Sequence, residues 1–261
     1  MRRRKHHGGR PGESCEPRDR RPATSGGTYW LYGQHAAAAA LANPRRIVRR
    51  HLVLGKGERP PSAGPGLPVP ETVERRDIER LLPVGAAHQG VAIEVQPLPT
   101  VTLAEVLAGS SGSRLIVVLD QVNDPRNVGA ILRSAAAFAV DALVLTHRNA
   151  PPESAALAKA ASGALESVPM VRVANLAQAL EEMARAGFWR IGLDADAGQE
   201  LREADLSGDL ALVLGAEGRG LRRLTGERCD LLARLPMSGG MASLNVSAAA
   251  AIALYLAYRA R

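Results

Sequence analysis

Three short stretches carry the residues able to do chemistry. In the first, Asn127, Gly129 and Arg133 follow a turn that Asp124-Pro125 opens. In the second, LALVLGAEGRGL at Leu210–Leu221, an apolar run reaches Gly215 and then a lone acid, Glu217, before Gly218. In the third, Leu235-Pro236 and a Ser/Gly loop lead to Ser243 and Asn245, which open a long Ala-rich helix. Each reads as a strand end or helix start carrying polar groups at a loop tip. In an α/β sheet such strand ends are where ligands bind. An arginine, a carboxylate and several amide or hydroxyl groups could orient a ribose and a phosphate. The six histidines (His6, His7, His35, His51, His88, His147) are scattered without ligand spacing, and no thiol or Ser/His/Asp grouping accompanies the three loops. That set argues against hydrolysis by a metal or by a nucleophilic Ser or Cys. It points to transfer between two bound substrates by positioning.

Elements must hold these loops. The 261 residues, 46% of them hydrophobic, suffice for one large or two small domains with a real core. No apolar run reaches the ~18 residues that span a bilayer. The basic start MRRRKHHGGR is not followed by the apolar segment of a signal peptide. Cys15 and Cys229 are too few for a disulfide framework or a zinc site, so a cytoplasmic, reducing location is expected. Of the net charge of +7, the first 27 residues, with eight Lys/Arg and three acids, account for +5. This predicts a disordered basic arm over 1–27, free to meet a polyanion, ahead of a nearly neutral folded remainder.

After an aromatic start at Tyr29–Tyr32, the pattern predicts a helix at Gly33–Leu41 and a strand at Arg46–Leu54. A single amphipathic helix at Glu71–Leu82 and a strand at Gly90–Val95 complete a small α/β domain at 28–97. A helix-bearing linker at 98–113 follows, with Cys229 expected later in a helical segment. From 114 to 261 strands alternate with helices: Leu115–Asp120, Ala142–Thr146, Met170–Val173, Trp189–Asp194, Leu210–Leu214 and Leu231–Leu235 as strands, and Asn127–Ala139, Glu153–Ala161, Leu176–Ala186 and Ser243–Arg259 as helices. Such alternation predicts an α/β fold with a mostly parallel sheet covered on both faces.

Taken jointly, Asn127-x-Gly129-x-x-x-Arg133-Ser134, Leu214-Gly215-Ala216-Glu217-Gly218-x-Gly220, and Leu235-Pro236-Met237 with Ser243-Leu244-Asn245-Val246-Ser247 resemble the three motifs of the SpoU (TrmH-like) RNA 2′-O-ribose methyltransferases of the SPOUT superfamily. The resemblance covers about Leu115–Arg261, and KAASGALESVP at Lys159–Pro169 is similar to a further family segment. YGQHA at Tyr32–Ala36 and HQG at His88–Gly90 resemble an L30e-like substrate-binding domain, a pairing typical of the RlmB type, which modifies a guanosine in 23S ribosomal RNA. The chain departs from the family at Ala139, where the helix end often carries Gly.

The resemblance implies a deep trefoil knot in the C-terminal part, a homodimer through it, and S-adenosylmethionine as methyl donor, without a metal. It assigns donor contacts to Gly215, Leu235, Met237 and Leu244, and catalysis to Arg133, Asn127, Glu217, Ser243 and Asn245. Arg133 is the residue proposed in related enzymes to help take the ribose proton. A guanidinium normally only donates, so orienting a phosphate and stabilising alkoxide charge, with Glu217 holding Arg133, is the less demanding role. The final helix carries a surplus apolar face (Ala248, Ala251, Ile252, Tyr255) that fits the implied two-fold partner. Two readings stand beside this one: a transfer-RNA methyltransferase of the same family, and a ribosomal-RNA-binding pseudoenzyme. GAEGRG lacks the spacing of a dinucleotide fingerprint, and aromatic content of 3% does not suit a base-stacking binder.

Overall fold

The structure, a computed structural model, describes residues 27–55, 66–109, 112–239 and 243–261. The arm expected at the N-terminus, with Cys15, lies outside the described residues save for Gly27. Tyr29–Tyr32 (β1), Val48–Leu54 (β2), Glu71–Val73 (β3) and Val91–Val95 (β4) make a four-stranded sheet in the order β1-β4-β2-β3. The aromatic start is thus a strand, antiparallel to β4. Two helices accompany it, Gln34–Ala42 (α1) and Arg75–Glu79 (α2).

The single helix expected at Glu71–Leu82 is not formed. Thr72 and Val73 are β-branched and favour extended backbone, and β3 pairs in parallel with Leu52–Leu54. Arg50 holds Glu71 at 2.7 Å, and the helix proper starts only at the capping box of Glu74 and Asp77. The helical spacing still packs, because Ile78 and Leu82 bury against Leu52 and Ala92.

Seven strands form the second sheet: Leu115–Asp120 (β5), Ala142–Thr146 (β6), Met170–Val173 (β7), Trp189–Leu193 (β8), Gln199–Glu200 (β9), Leu210–Gly215 (β10) and Leu231–Arg234 (β11). Every neighbouring pair is parallel, in the order β7-β6-β5-β10-β8-β11-β9. β9, of two residues, is too short to leave a pattern in the sequence. Helices Leu103–Leu107 (α3), Pro125–Ala137 (α4), Ala155–Ala161 (α5), Leu176–Arg185 (α6), Arg223–Gly226 (α7) and Val246–Arg259 (α8) connect and cover the strands. Along β5 the faces alternate. Leu115, Val117 and Leu119 pack with α4, α5 and α8, while Ile116 and Val118 pack with α3 and α6. Both β5 and β10 are buried throughout, as central parallel strands must be. Cys229 falls just past α7, not inside a helix, and burial pushes its thiol up to about 12. Among the described residues no helix is long and apolar enough to cross a membrane.

A buried ionic cluster joins the two sheets. The Arg46 side chain, 0% exposed, donates to Glu166 at 2.6 Å, to Glu153 at 3.1 Å and to the Gln96 carbonyl at 2.7 Å. Tyr29 donates its hydroxyl to Glu153 at 2.9 Å, and burial beside that carboxylate drives its pKa upward. Small residues permit the close docking. A Cβ added at Gly163 would lie 2.9 Å from the Ala39 Cβ of α1.

The end of α4 carries a mismatch. Ala139 has φ 52°, in the left-handed region that glycine occupies at little cost. A side chain there costs about 1 kcal/mol or more. Ala139→Gly should therefore raise unfolding free energy by about 0.5–1 kcal/mol, since the relieved strain exceeds the added chain entropy. Chemical denaturation would check this; a lowered midpoint would mean that the turn is unstrained.

Candidate active site

The site begins with the alignment of β5 and β10, which brings Asp120 beside Gly215 at the C-terminal edge of the sheet. Beyond Gly215 the chain turns back sharply. Ala216 and Gly220 form a bridge, with the Gly220 N–H donating to the Ala216 carbonyl at 2.9 Å. Gly218 and Gly220 adopt φ 77° and 63°, which a β-carbon would oppose. Asp120, 0% exposed, accepts from the Arg222 N–H at 2.9 Å and from its Nε at 2.7 Å. The loop bearing Glu217 is thereby anchored at both ends.

Gly215 is glycine for a steric reason within the chain. A Cβ there would lie 2.0 Å from the Gly220 carbonyl carbon, so the chain's own returning loop fills the space. Gly129 is likewise a packing glycine. Its Cβ would fall 2.5 Å from the Leu157 carbonyl oxygen and 2.6 Å from the Ala160 Cβ, where α4 meets α5.

α4 starts two residues earlier than its pattern suggests. Asp124 is the cap, accepting from the Arg126 N–H at 2.9 Å, and Pro125 opens the first turn. Asn127 is therefore released from capping. Its Oδ1 accepts a hydrogen bond from the Asn245 Nδ2 at 3.1 Å, and the same amide reaches Glu217 Oε2 at 3.4 Å. The other end of that amide, Asn245 Oδ1, caps α8 by accepting from the Ser247 N–H at 2.9 Å and its Oγ at 2.6 Å. One side chain from each sequence motif thus meets at a single amide. A cleft of about 420 Å³ opens there, lined by Gln121–Asp124, Asn127, Ala216, Glu217, Arg219 and Val246.

Not every expected residue joins this network. Glu217 does not hold Arg133; its partner among the described residues is Asn245. Six positions beyond Asn127, Arg133 has turned roughly 240° around the helix axis and lies exposed. Ser243 is exposed and makes no described hydrogen bond to the cluster. Leu235 is half-buried and Met237 37% exposed in the stretch that follows β11, while Leu244 is half-buried next to Asn245. Composition and spacing missed Asp120 and Arg222. The signal available was a lone acid closing a six-residue apolar strand, a position where a charge needs a built partner.

Comparisons with known proteins show the family. Residues 114–255 match the model of the SpoU rRNA methylase family. The chain belongs to that family. It is 40% identical over 243 residues to a 23S rRNA (guanosine-2'-O-)-methyltransferase RlmB of Pseudomonas aeruginosa, covering 88% of this chain and 96% of the relative. A Vibrio vulnificus protein of the same name is 38% identical over 244 residues, 89% of this chain and 97% of its own. Among solved structures, an RNA 2'-O ribose methyltransferase superposes with TM-score 0.77 at 25% identity, covering 90% of this chain and 89% of its own. The SpoU methyltransferase AviRb from Streptomyces viridochromogenes, in complex with AdoMet, superposes with TM-score 0.74 at 25% identity, over 89% and 90%.

In this SpoU chain the returned loop generates a clear contrast. Gly215→Ala should force the Gly220 backbone away, costing about 1–3 kcal/mol by overpacking and displacing Glu217. Gly218→Ala meets open space and only the positive φ, about 1–2 kcal/mol. Thermal melts with methyl-transfer assays on both variants test this. A Gly215→Ala protein of native stability and activity would show that the loop does not close as described.

Proposed function

We infer that this chain transfers a methyl group from S-adenosylmethionine to the ribose 2′-hydroxyl of a guanosine in 23S ribosomal RNA. The observation that carries the reading is the meeting of Asn127, Glu217 and Asn245 at the edge of a SpoU sheet, in a chain related to the RlmB proteins over 88% of its length. A transfer-RNA substrate has weaker support. The TrmH/SpoU tRNA modifying enzyme of A. aeolicus covers only 61% of this chain, with TM-score 0.52 at 32% identity.

The donor's fit rests on the motif positions that the family resemblance assigns to it, which flank the cleft-lining residues in sequence and do not themselves line the described cleft. Leu235, Met237 and Leu244 offer apolar surface for an adenosine, and Gly215 would contribute through its backbone. When bound, the donor supplies an electrophilic methyl on a sulfonium. This chain's part is positioning and proton transfer: Asn127 and Asn245 orient the ribose, and Glu217 accepts the hydrogen bond of the 2′-hydroxyl and receives its proton as the oxygen takes the methyl. Ser243, two residues before Asn245, is proposed to add a further hydroxyl. β10 lies between the earlier strands β5 and β8, and the trefoil knot that the resemblance implies is proposed at the loops beyond it. The front sheet over 28–97 is proposed as an L30e-like RNA-holding domain, and the arm over 1–27 as an auxiliary polyanion contact. A ribosomal substrate is consistent with the cytoplasm.

Arg133 takes its role from a second copy. α8 exposes Ala248, Ile252 (43%) and Tyr255 (49%), with Ala251 half-buried beside them. Tyr255 packs on Phe138 at the end of α4, the helix that carries Arg133. A homodimer through α8 would bury this face and carry Arg133 toward the partner's cleft.

Mapping 2′-O-methyl marks in cells with and without this gene should reveal the loss of one 23S guanosine mark. Loss of a transfer-RNA mark instead, or of none, would sink the substrate assignment. Arg133→Ala should keep donor binding while methyl transfer drops about 10²-fold or more, with Lys a poor replacement. Co-expressing Arg133→Ala with Asn127→Ala should restore roughly a quarter of wild-type activity, because half the dimers would hold one intact composite site. No recovery would assign Arg133 to its own chain's cleft.

A further inference from the structure

The cleft carries a cation that the three-motif description leaves out. Arg219, at the tip of the returned loop between Gly218 and Gly220, lines the cleft with Asn127 and Glu217. Its neighbours along the chain are all engaged. Arg222 is held by Asp120 at 2.7 Å, Arg223 by Glu227 at 2.5 Å and Arg228 by Glu181 at 3.0 Å. Arg219 is exposed, and among the described residues no carboxylate pairs with its guanidinium. Its backbone is nevertheless fixed. The Arg219 N–H donates to the Ala216 carbonyl at 3.3 Å, inside the turn that Gly215 and Asp120 secure.

Charge gives the position its meaning. Of the ionisable groups lining the cleft, Asp124 and Glu217 are acids, and Arg219 is the base. Two carboxylates suit a sulfonium but repel a polyphosphate chain, so an RNA strand entering here needs a cation on the rim. Arg133, the arginine of the motifs, does not line this cleft within one chain. A guanidinium can clamp one phosphodiester with two parallel donors, and a loop that is already rigid loses little entropy in doing so.

We propose that Arg219 is a positioning residue that grips a backbone phosphate next to the methylated nucleotide, setting the ribose against Asn127 and Glu217 in its own chain's cleft. The proposal rests on the chain acting on RNA, and the site could in principle clamp the donor's carboxylate instead. The measurement therefore separates the two anions. With unmodified 23S rRNA transcript as substrate, Arg219→Ala should raise KM by about 10-fold or more, the worth of a hydrogen bond to a charged group, with kcat changed far less. The log–log salt slope of RNA binding should fall by about 0.7–0.9, one phosphate contact. Arg219→Lys should recover the slope but only part of KM. S-adenosylmethionine affinity, by calorimetry, should stay at the wild-type value. Arg185→Ala, at the opposite edge of the sheet, should alter none of these. Weakened donor binding would assign Arg219 to the donor carboxylate and overturn the proposal. A fall in kcat with unchanged KM and salt slope would overturn it too, as would a variant identical to wild type. A wild-type protein inactive on the 23S transcript would refute the substrate reading instead, and the same comparison then runs on the RNA that it does methylate.

Discussion

The site depends on one buried carboxylate. Asp120 closes β5 with no exposure to solvent, so its two oxygens must be satisfied from within. Arg222 supplies both bonds, one from its backbone and one from its side chain. Because that side chain is half exposed, its ion pair alone is worth little. The geometric consequence is larger. It ties residue 222 to the end of the neighbouring strand, and the six residues between 215 and 222 are left no path except the tight return over Gly215. Glu217 and Arg219 stand at the tip of that return. Glu217 and Arg219 are thus both placed by a bond that neither of them makes.

A second constraint works at the junction of the sheets. Arg46 neutralises two glutamates, Glu153 and Glu166, that both come from the α5 region of the large sheet. A buried pair of this kind contributes less to net stability than its distances suggest, since desolvating three charges is costly. Removing the arginine is another matter, because two uncompensated carboxylates would remain. The cluster therefore acts as a determinant of orientation, admitting one way of setting the front sheet on α5. Lys159 repeats the logic nearby, donating to the Ala87 carbonyl at 3.0 Å and lying over the Tyr32 ring. Segments resembling family signatures in both halves of the chain, YGQHA, HQG and KAASGALESVP, meet along this seam.

α8 serves two surfaces at once. At its N-terminus the Asn245 side chain divides its amide, the oxygen capping the helix and the nitrogen binding Asn127 and Glu217. Its inner face, Ala250, Ala253, Leu254 and Ala257, is wholly buried against the sheet. Its outer face keeps Ile252 and Tyr255 in solvent. Any partner gripping that outer face shifts or steadies the same rigid rod that holds the site amide, which gives the proposed dimer a physical route to the chemistry.

The sequence by itself determined a great deal here. Period-two runs and apolar stretches located eight of the eleven strands, because a buried parallel strand writes a continuous apolar signal; the aromatic β1, the three-residue β3 and the two-residue β9 did not read as strands. Loop glycines, a lone acid and amides at helix starts pointed to Asn127, Glu217 and Asn245, since polar groups at loop tips beside a sheet edge can face a ligand. What it could not decide was partnership. Whether Glu217 meets Arg133 or Asn245 depends on helix phase and on where α4 starts, and a capping aspartate three residues upstream moved Asn127 into the first turn. Gly215 and Gly129 were legible as glycines, but their reasons lie with backbone 5 to 28 positions away in sequence. The segment at Glu71–Leu82 misled because its apolar spacing serves a helix and a strand-plus-turn equally well, and only β2 offered Thr72 and Val73 a ladder. Local chemistry is written in order along the chain. Which groups face one another is settled by the packing of distant segments, and that is a property of the fold alone.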